Sequence, residues 1–470
     1  MFIFDSSSKE KVEFKPIREG EVRMYVCGPT VYDDAHLGHA RSALSFDILA
    51  RLLRRLGYKL TFAKNFTDID DKLINKSLQS GKSVAELASY YTKRYLEDME
   101  ALGVKRADIE PKATEFIEEM GEFIKTLLDK GFAYKISNGD IYLDVNKDSK
   151  YGSLSHHYQD SDSISRIAEE SQKRDKRDFI LWKAYKGEGD VGYESILGKG
   201  RPGWHIECSV MIDSILAYKD EAYCIDIHGG GADLFFPHHE NEASETRCEC
   251  GKELSKYWMH NGFVTVDGEK MSKSLGNSFF IKDALKSYEG EILRNYLLGT
   301  HYRASLSFNE LDLLASKKRL DRLYRLKKRI NFTSELERKK DTEFESAFLN
   351  ALTDDLNISL ALSIYEEMLA RLNDALDKNP KDKEALSKAA SNIDLLQDIL
   401  GIGLLPTAKY FQLGVSEEDK KEIDALVAKR LEAKASKNYA LSDEIRDTLK
   451  AKNINVMDKP GGISEWEVIS

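Results

Sequence analysis

The sequence has 470 residues, of which 41% are hydrophobic and 32% are charged, and its formal net charge is −10. This composition predicts a globular protein of about three domains, without an apolar run long enough to span a membrane. The acidic net charge does not indicate nucleic-acid binding, but it is compatible with a local basic face that binds nucleic acid. Five cysteines without regular spacing argue against a disulfide framework, and the start lacks the pattern of a signal peptide. We therefore expect a cytoplasmic protein.

The N-terminal part predicts a Rossmann-like parallel α/β sheet. A short β-like run at 23–27 is followed by apolar residues at helical spacing over 44–56, which end at Gly57. Residues 59–66 predict the next strand. Strand, helix and strand in this order are typical of a parallel sheet, in which ligands bind at the carboxyl ends of the strands.

The segment His36-Leu-Gly-His39 stands at the start of the predicted helix. Two imidazoles beside the free N–H groups of a helix start can hold the phosphates of a nucleotide. Gly38 leaves room for a base or ribose against the backbone. The pattern is short, however, and a histidine at this position is often only a helix cap.

The order of the predicted helices, strands and irregular segments divides the chain into domains. We predict a catalytic domain over 1–111 and 201–250, split by a connective insertion over 112–200. Residues 251–310 form a separate region, 311–400 a helical bundle, and 416–470 a small α+β module. Within the bundle, eight Lys or Arg between Lys317 and Arg329 alternate with leucines, which indicates either a solvated helix face or a surface for a polyanion.

Thiol, imidazole and carboxylate side chains are most concentrated between Trp204 and Glu242. His238 and Glu242 are four residues apart, so both side chains point from one helical face, and Cys208 adds a thiol. These are ligand types that zinc accepts, and Cys27 is available as a fourth. Spacing alone leaves five rival ligands open: Cys224, Cys248, Cys250, His228 and His239.

A lysine-bearing loop follows downstream. Asp267-Gly268 between short apolar runs predicts a hairpin, and Lys270 and Lys273 come directly after it. Such a loop can follow negative charge onto a pyrophosphate leaving group. By itself it is more often a solvated loop.

Together, His36-Leu-Gly-His39 and Lys270-Met-Ser-Lys-Ser274 resemble the two signatures of class I aminoacyl-tRNA synthetases. Four further segments look like the cysteinyl-tRNA synthetase family: 27–33, 65–72, 200–208 and 227–242. Residues 438–447 look like that family's anticodon-binding helices. Three positions depart from the usual family pattern without removing a ligand: Leu37, Lys112 and the segment 193–197.

The resemblance implies one zinc ion per chain, held by Cys27, Cys208, His238 and Glu242, which binds the thiolate of the substrate L-cysteine. It implies a cysteine pocket lined by Gly28, Thr67, Trp204 and His228. ATP, accompanied by Mg²⁺, is then expected to bind at His36, Gly38, His39 and Lys273. Catalysis is assigned to His36, His39, Lys270 and Lys273, which stabilise transition-state charge.

The implied function is the ATP-dependent joining of cysteine to the 3′ end of tRNA(Cys) by a monomer. Residues 251–310 then hold the lysine loop and a tRNA stem contact, and 416–470 bind the anticodon. Three alternatives share part of this pattern. They are a ligase that joins cysteine to an amino-sugar, a non-catalytic RNA-binding paralogue, and a plain nucleotidyltransferase.

Overall fold

The computed structural model describes residues 1–156, 172–266, 269–270, 279–330, 336–459 and 462–469. The chain divides into two compact units. The first comprises 1–282, 297–310 and 346–364, and the second comprises 283–296, 311–345 and 365–470.

The described strands are β1 (Phe2–Asp5), β2 (Glu10–Glu13), β3 (Glu21–Val26), β4 (Lys59–Lys64), β5 (Ala133–Lys135), β6 (Ile141–Leu143), β7 (Phe179–Ala184), β8 (Gly200–Pro202), β9 (Tyr223–Gly231), β10 (Glu253–Asn261), β11 (Val264–Val266), β12 (Glu269–Lys270), β13 (Leu306–Ser307), β14 (Ile454–Lys459) and β15 (Ile463–Val468). The described helices are α1 (Leu37–Arg55), α2 (Asp71–Ser80), α3 (Val84–Ala101), α4 (Ile117–Asp129), α5 (Trp204–Ile215), α6 (Glu240–Cys250), α7 (Ile281–Ser287), α8 (Gly290–Leu297), α9 (Glu310–Ile330), α10 (Thr342–Leu352), α11 (Ile358–Lys378), α12 (Lys383–Ile399), α13 (Thr407–Phe411), α14 (Glu417–Ala435) and α15 (Tyr439–Ala451). None of the helices described is long and apolar enough to cross a lipid bilayer.

The first unit contains the predicted parallel sheet. Its strands lie in the order β10-β9-β3-β4, and every neighbouring pair is parallel. Helix α1 connects β3 to β4 and buries an apolar face that includes Leu44, Leu49 and Leu53. Basic residues in its last turn suit the negative end of the helix dipole, and Gly57 at φ 91° follows its end.

An antiparallel sheet interrupts the parallel one. Strands β5, β6, β7 and β8 pair in sequence order, between β4 and β9 along the chain. This confirms a catalytic domain that is split by an insertion. The residue boundaries of the individual domains remain a prediction.

The second unit is mostly helical and includes the C-terminal module. Helices α14 and α15 pack against the antiparallel hairpin β14–β15 around a small core of Ile423, Val427, Ile445, Leu449, Ile454 and Trp466. The indole nitrogen of Trp466 donates to Asp424 at 2.7 Å, so the largest side chain of this core keeps its polar atom bonded. The predicted α+β module is therefore present.

The basic segment in α9 forms a continuous helix whose leucines face inward. Leu320, Leu323 and Leu326 are buried. Among the described residues, four of its cations form ion pairs inside the second unit: Lys317 with Asp321, Arg319 with Glu366, Lys328 with Glu467 and Arg329 with Asp377. The buried leucines and the ion pairs indicate that this helix packs within the second unit, whether or not its remaining cations also bind a polyanion.

Candidate metal centre and active site

The edge of the parallel sheet brings the candidate residues together. Cys27 follows β3 directly, and its backbone N–H donates to Gly229 of β9 at 3.0 Å. Thr67 follows β4, and His228 lies within β9. Because parallel strands end at one edge, residues far apart in sequence meet there. Cys27, Thr67 and His228 are all buried.

Cys208 and His238 reach the same place from two further elements. Cys208 lies in the first half of α5, and His238 lies in a short irregular turn, Phe235–His239, that leads into α6. The regular helix α6 begins at Glu240, so His238 lies just before the helix on which its spacing from Glu242 was expected to place it. The spacing argument still holds, because His238 Nε2 lies 2.7 Å from Glu242 Oε1.

The four predicted ligands form one buried group, with ligand atoms within 4.8 Å of one another. Cys27 Sγ lies 3.7 Å from Cys208 Sγ and 3.5 Å from Glu242 Oε1, and Cys208 Sγ lies 3.8 Å from His238 Nε2. Tetrahedral zinc with bonds of about 2.3 Å to sulfur and about 2.0 Å to nitrogen sets two sulfurs about 3.8 Å apart and sulfur about 3.5 Å from nitrogen. The donor set therefore fits zinc, and only the 2.7 Å between His238 Nε2 and Glu242 Oε1 is clearly shorter than the roughly 3.3 Å between a nitrogen and an oxygen ligand of one tetrahedral ion.

A second group of four overlaps the first. Cys27, His228, His239 and Glu242 are also buried with their ligand atoms within 4.8 Å. Cys27 Sγ lies 3.3 Å from His239 Nε2, and Glu242 Oε2 lies 2.5 Å from His228 Nε2. Among the residues described, the three other rivals, Cys224, Cys248 and Cys250, belong to neither group. The structure thus reduces five rivals to two.

The four predicted ligands carry charges of opposite sign. Burial opposes ionisation of Cys208, but hydrogen bonds from Cys27 and His238 outweigh it and lower the pKa of the thiol to about 6. Burial and the neighbouring Cys208 hold the pKa of Cys27 well above its usual range. Despite its burial, His238 has a pKa raised to about 10 by the charge of Glu242. A thiolate, a carboxylate and an imidazolium thus share the site, and a dication can replace the imidazolium proton.

The predicted cysteine-pocket residues surround this group. Trp204 is 39% exposed, and its ring stacks on His238 with centroids 4.1 Å apart. The Thr67 hydroxyl donates to Glu207 at 3.0 Å. At Gly28 a Cβ atom would stand 1.6 Å from the carbonyl oxygen of Asn65, so only glycine fits there. Trp204 lies on α5 with Cys208 and Gly28 follows Cys27, whereas Thr67 follows β4 and contacts α5 through Glu207.

The two histidines of the first signature stand at the start of α1. His36 caps the helix, and its Nδ1 accepts from the Gly38 N–H at 3.1 Å, while His39 Nδ1 accepts from the His36 N–H at 3.2 Å. Their rings stack with centroids 3.9 Å apart, and both are half-buried. Because Nδ1 accepts in each neutral ring, the proton is carried by Nε2, which can donate to a phosphate.

The second signature is only partly described. The predicted hairpin is confirmed, because β11 and β12 are antiparallel, and Lys270 ends β12. Lys273 lies outside the described residues. Beyond the loop, the Phe279 carbonyl accepts from the Leu37 N–H at 3.2 Å, and the Ile281 N–H donates to Ala35 at 2.9 Å. The segment after the lysine loop is thus bonded to the start of α1.

Sequence reasoning missed several residues of the site. The sequence offers His239 only as a rival ligand, yet its Nδ1 lies 2.8 Å from His260 Nε2, and His260 Nδ1 lies 2.8 Å from Ser6 Oγ. Glu207 is not among the predicted site residues, although it adjoins Cys208 and accepts a hydrogen bond from Thr67. The signal available for Glu207 was its place one residue before a candidate ligand; nothing in the sequence links Ser6 or His260 to the site.

Family models match most of the chain. Residues 13–318 match the model described as tRNA synthetases class I (C) catalytic domain, and residues 347–405 match a DALR domain. A solved methionyl-tRNA synthetase of Mycobacterium tuberculosis, in complex with methionyl-adenylate, superposes with a TM-score of 0.62 at 16% identity, covering 85% of this chain and 94% of that one. The fold and the catalytic-domain match therefore define a class I tRNA synthetase.

Curated relatives narrow the class. A cysteine--tRNA ligase of Nitratiruptor sp. is 59% identical over 100% of both chains. Another, from Helicobacter hepaticus, is 57% identical over 99% of both. Identity at this level over the whole length shows the family: the chain belongs to the cysteine--tRNA ligases.

Proposed function

We propose that this chain activates L-cysteine with ATP and transfers it to the 3′ end of tRNA(Cys), and that a zinc ion at the buried cluster selects the amino acid. The observation that carries the proposal is the group formed by Cys27, Cys208, His238 and Glu242, whose spacing fits a tetrahedral metal. Full-length similarity to cysteine--tRNA ligases supports the reaction.

Selection of cysteine is the task that needs a metal. Cysteine and serine differ by one atom, and a pocket discriminates poorly between such similar shapes. When bound, zinc supplies a bond that favours a thiolate over a neutral hydroxyl. Glu242 is proposed as the weakest ligand, because its two oxygens already have partners in His238 and His228. Its departure would leave a place for the substrate sulfur.

The remaining residues bind and orient. Trp204, at the exposed side of His238, is proposed to cover the substrate, and Thr67, held by Glu207, to contact it. Gly28 keeps the backbone next to Asn65 free of a side chain. His228, buried against Glu242, is proposed to line the pocket and hold that carboxylate in place.

The nucleotide is proposed to bind at the start of α1. His36 and His39 would donate from Nε2 to the ATP phosphates, and Gly38 allows close approach of the nucleoside. Lys270 and Lys273 would stabilise charge on the leaving pyrophosphate, with Mg²⁺ accompanying the ATP. The substrate carboxylate attacks the α-phosphate, so no covalent bond to the protein is required.

The tRNA partner is proposed to be read by the C-terminal module at 416–470, with a stem contact over 251–310. We propose that the protein acts in the cytoplasm as a monomer. An amino-sugar ligase has no anticodon to read, so the α14–α15 helices and their hairpin favour the tRNA reaction. A silent RNA-binding paralogue is disfavoured, because the histidine pair and the ligand cluster are both intact.

The decisive experiment is charging of total tRNA with labelled cysteine, with and without prior treatment by a zinc chelator. Charging that the chelator abolishes, and that added zinc restores, supports both parts of the proposal. Charging that resists a chelator after proven metal loss contradicts the role of the metal. Adenylate formation without charging would favour the amino-sugar ligase.

A further inference from the structure

A chain of hydrogen bonds leads from the N-terminal hairpin β1–β2 to a candidate metal ligand. The hydroxyl oxygen of Ser6 lies 2.8 Å from Nδ1 of His260, and Nε2 of that ring lies 2.8 Å from Nδ1 of His239. The other nitrogen of His239, Nε2, lies 3.3 Å from the sulfur of Cys27. Three consecutive contacts thus connect the metal centre with a hairpin that contains none of the predicted site residues.

The hairpin is bonded to the strand that carries His260. The Ser6 N–H donates to the carbonyl of Trp258 at 2.8 Å, and the Trp258 N–H donates to Asp5 Oδ1 at 2.9 Å. Asp5 is buried, and its other oxygen accepts from the Ser8 N–H at 2.9 Å. Trp258 and His260 both belong to β10, the neighbour of β9 in the parallel sheet. The turn after β1 therefore holds the Ser6 hydroxyl at a fixed position beside the ring of His260.

The direction of these hydrogen bonds follows from the last acceptor. In the proposed metal centre Cys27 is a thiolate, which can only accept, so Nε2 of His239 carries a hydrogen. His239 is fully buried and His260 is 8% exposed, which favours neutral rings with one N–H each. Nδ1 of His239 therefore accepts from Nε2 of His260, and Nδ1 of His260 must accept in turn. The donor to that nitrogen is the Ser6 hydroxyl.

The proposed metal centre has an excess of negative charge. Two thiolates and one carboxylate, from Cys27, Cys208 and Glu242, sum to −3, and a zinc ion of +2 leaves −1. The thiolate of the substrate would lower this sum to −2. An N–H that donates to the sulfur of Cys27 withdraws charge from it, and this reduces the electrostatic cost of adding a further thiolate to the ion.

We propose that Ser6 is a positioning residue of the metal centre, which acts through His260 to direct the Nε2–H of His239 at the sulfur of Cys27. Each contact in the chain uses one nitrogen of a ring, so rotation of either imidazole would break it. The inference rests on the proposed function, because the substrate thiolate is the ligand whose binding this hydrogen bond favours. It adds the N-terminal hairpin to the parts of the chain that determine affinity for zinc and for cysteine.

Competitive chelator titration and cysteine kinetics of the full-length zinc protein test the proposal. Ser6→Ala removes only the hydroxyl, at a half-buried position. Outer partners of metal ligands typically contribute about 10-fold to 100-fold in metal affinity, and Ser6 acts through two further residues, so zinc affinity should fall about 3-fold to 10-fold. The KM for cysteine in ATP–pyrophosphate exchange should rise by a similar factor, while kcat and the KM for ATP stay near wild-type values. Ser6→Thr keeps the hydroxyl and should restore both quantities.

The matched control is Ser7→Ala, one position further along the same turn. The described hydrogen bonds of Ser7 are made by its backbone, so this variant should keep wild-type zinc affinity and wild-type kinetics. A double-mutant cycle identifies the path of the effect. If Ser6 acts through His260, then Ser6→Ala should cause no further loss of zinc affinity when it is added to His260→Phe.

Unchanged zinc affinity in Ser6→Ala, or additive losses in the cycle with His260→Phe, would overturn the proposal. A KM for cysteine that rises no more than the KM for ATP would also overturn it, because a general disturbance of the fold would have that effect. The chelator titration requires no aminoacylation. A wild-type protein that does not activate cysteine would therefore contradict the proposed function, while the order of zinc affinities would still decide the role of Ser6.

Discussion

Two clusters of imidazoles in the first unit differ in how their ring nitrogens are used. In the buried cluster, His238 contacts Glu242 and His205 through its two nitrogens, and His239 contacts Cys27 and His260. In the half-buried pair at the start of α1, Nδ1 of each ring is taken by the backbone. Histidine therefore suits a bound metal ion in the buried cluster, and the phosphates of a nucleotide in the half-buried pair.

The largest effect is expected from removing a ligand of the buried cluster. Cys208→Ser replaces a thiolate with a hydroxyl that zinc binds poorly. We expect loss of the metal together with a fall of about 10³-fold or more in cysteine activation, equivalent to about 4 kcal/mol. Elemental analysis and cysteine-dependent ATP–pyrophosphate exchange measure the two quantities.

The matched control is Cys248→Ser, which changes a buried thiol outside both ligand groups. It should leave metal content and exchange near wild-type levels. Normal cysteine activation by a metal-free Cys208→Ser protein would make the metal structural, and the proposed selection of cysteine would be wrong.

The next effect is expected at the half-buried pair. His39→Ala removes one Nε2 donor from the proposed phosphate site, so exchange should fall about 10²-fold to 10³-fold while bound metal is unchanged. A control is His156→Asn, at an exposed position whose φ of 63° asparagine tolerates. Loss of metal in His39→Ala would show that the two clusters do not act separately.

A smaller effect decides between the two overlapping ligand groups. If His238 is the ligand, His239→Gln removes only a supporting contact, which typically weakens metal binding about 10-fold to 100-fold. His238→Gln should then be the more severe change in a competitive chelator titration. The opposite order would favour the group of Cys27, His228, His239 and Glu242.

The smallest effect concerns stability near the half-buried pair. Burial, together with the like charges of Asp34 and Glu97, raises the pKa of Asp98 to about 6, although Arg94 opposes this. Asp98 Oδ2 has no hydrogen-bond partner among the described residues. A carboxyl whose folded pKa is raised stabilises the fold below its unfolded pKa of about 4, and this contribution is lost as the pH rises through 6.

Asp98→Asn should therefore raise the free energy of unfolding by roughly 1–3 kcal/mol at pH 7.5. The gain should shrink toward pH 4.5, where the wild-type carboxyl is protonated in the folded state. Urea unfolding at the two pH values measures the difference. An equal gain at both values would remove the titration of Asp98 as the cause.

The sequence predicted those parts of the molecule whose signals are local. The period of α1, its end at Gly57 and the strands beside it follow from apolar spacing and from a glycine at positive φ. Residue spacing could not choose between His238 and His239, because an irregular turn at Phe235–His239 determines which ring faces which sulfur. His260 joins the cluster only through the pairing of β10 with β9, a long-range contact without a sequence signal.

The separation of the candidate ligands along the chain has a consequence for folding. Cys27 and Cys208 contact each other across 181 positions, so their meeting requires β3, β9 and α5 to be assembled first. Closing so long a loop is slow, because its entropy is lost before many contacts form. Metal capture is therefore expected as a late event, and the unfolded chain should lack the high-affinity site. Because zinc would bind the folded chain and not the unfolded one, it would stabilise the assembled sheet against unfolding.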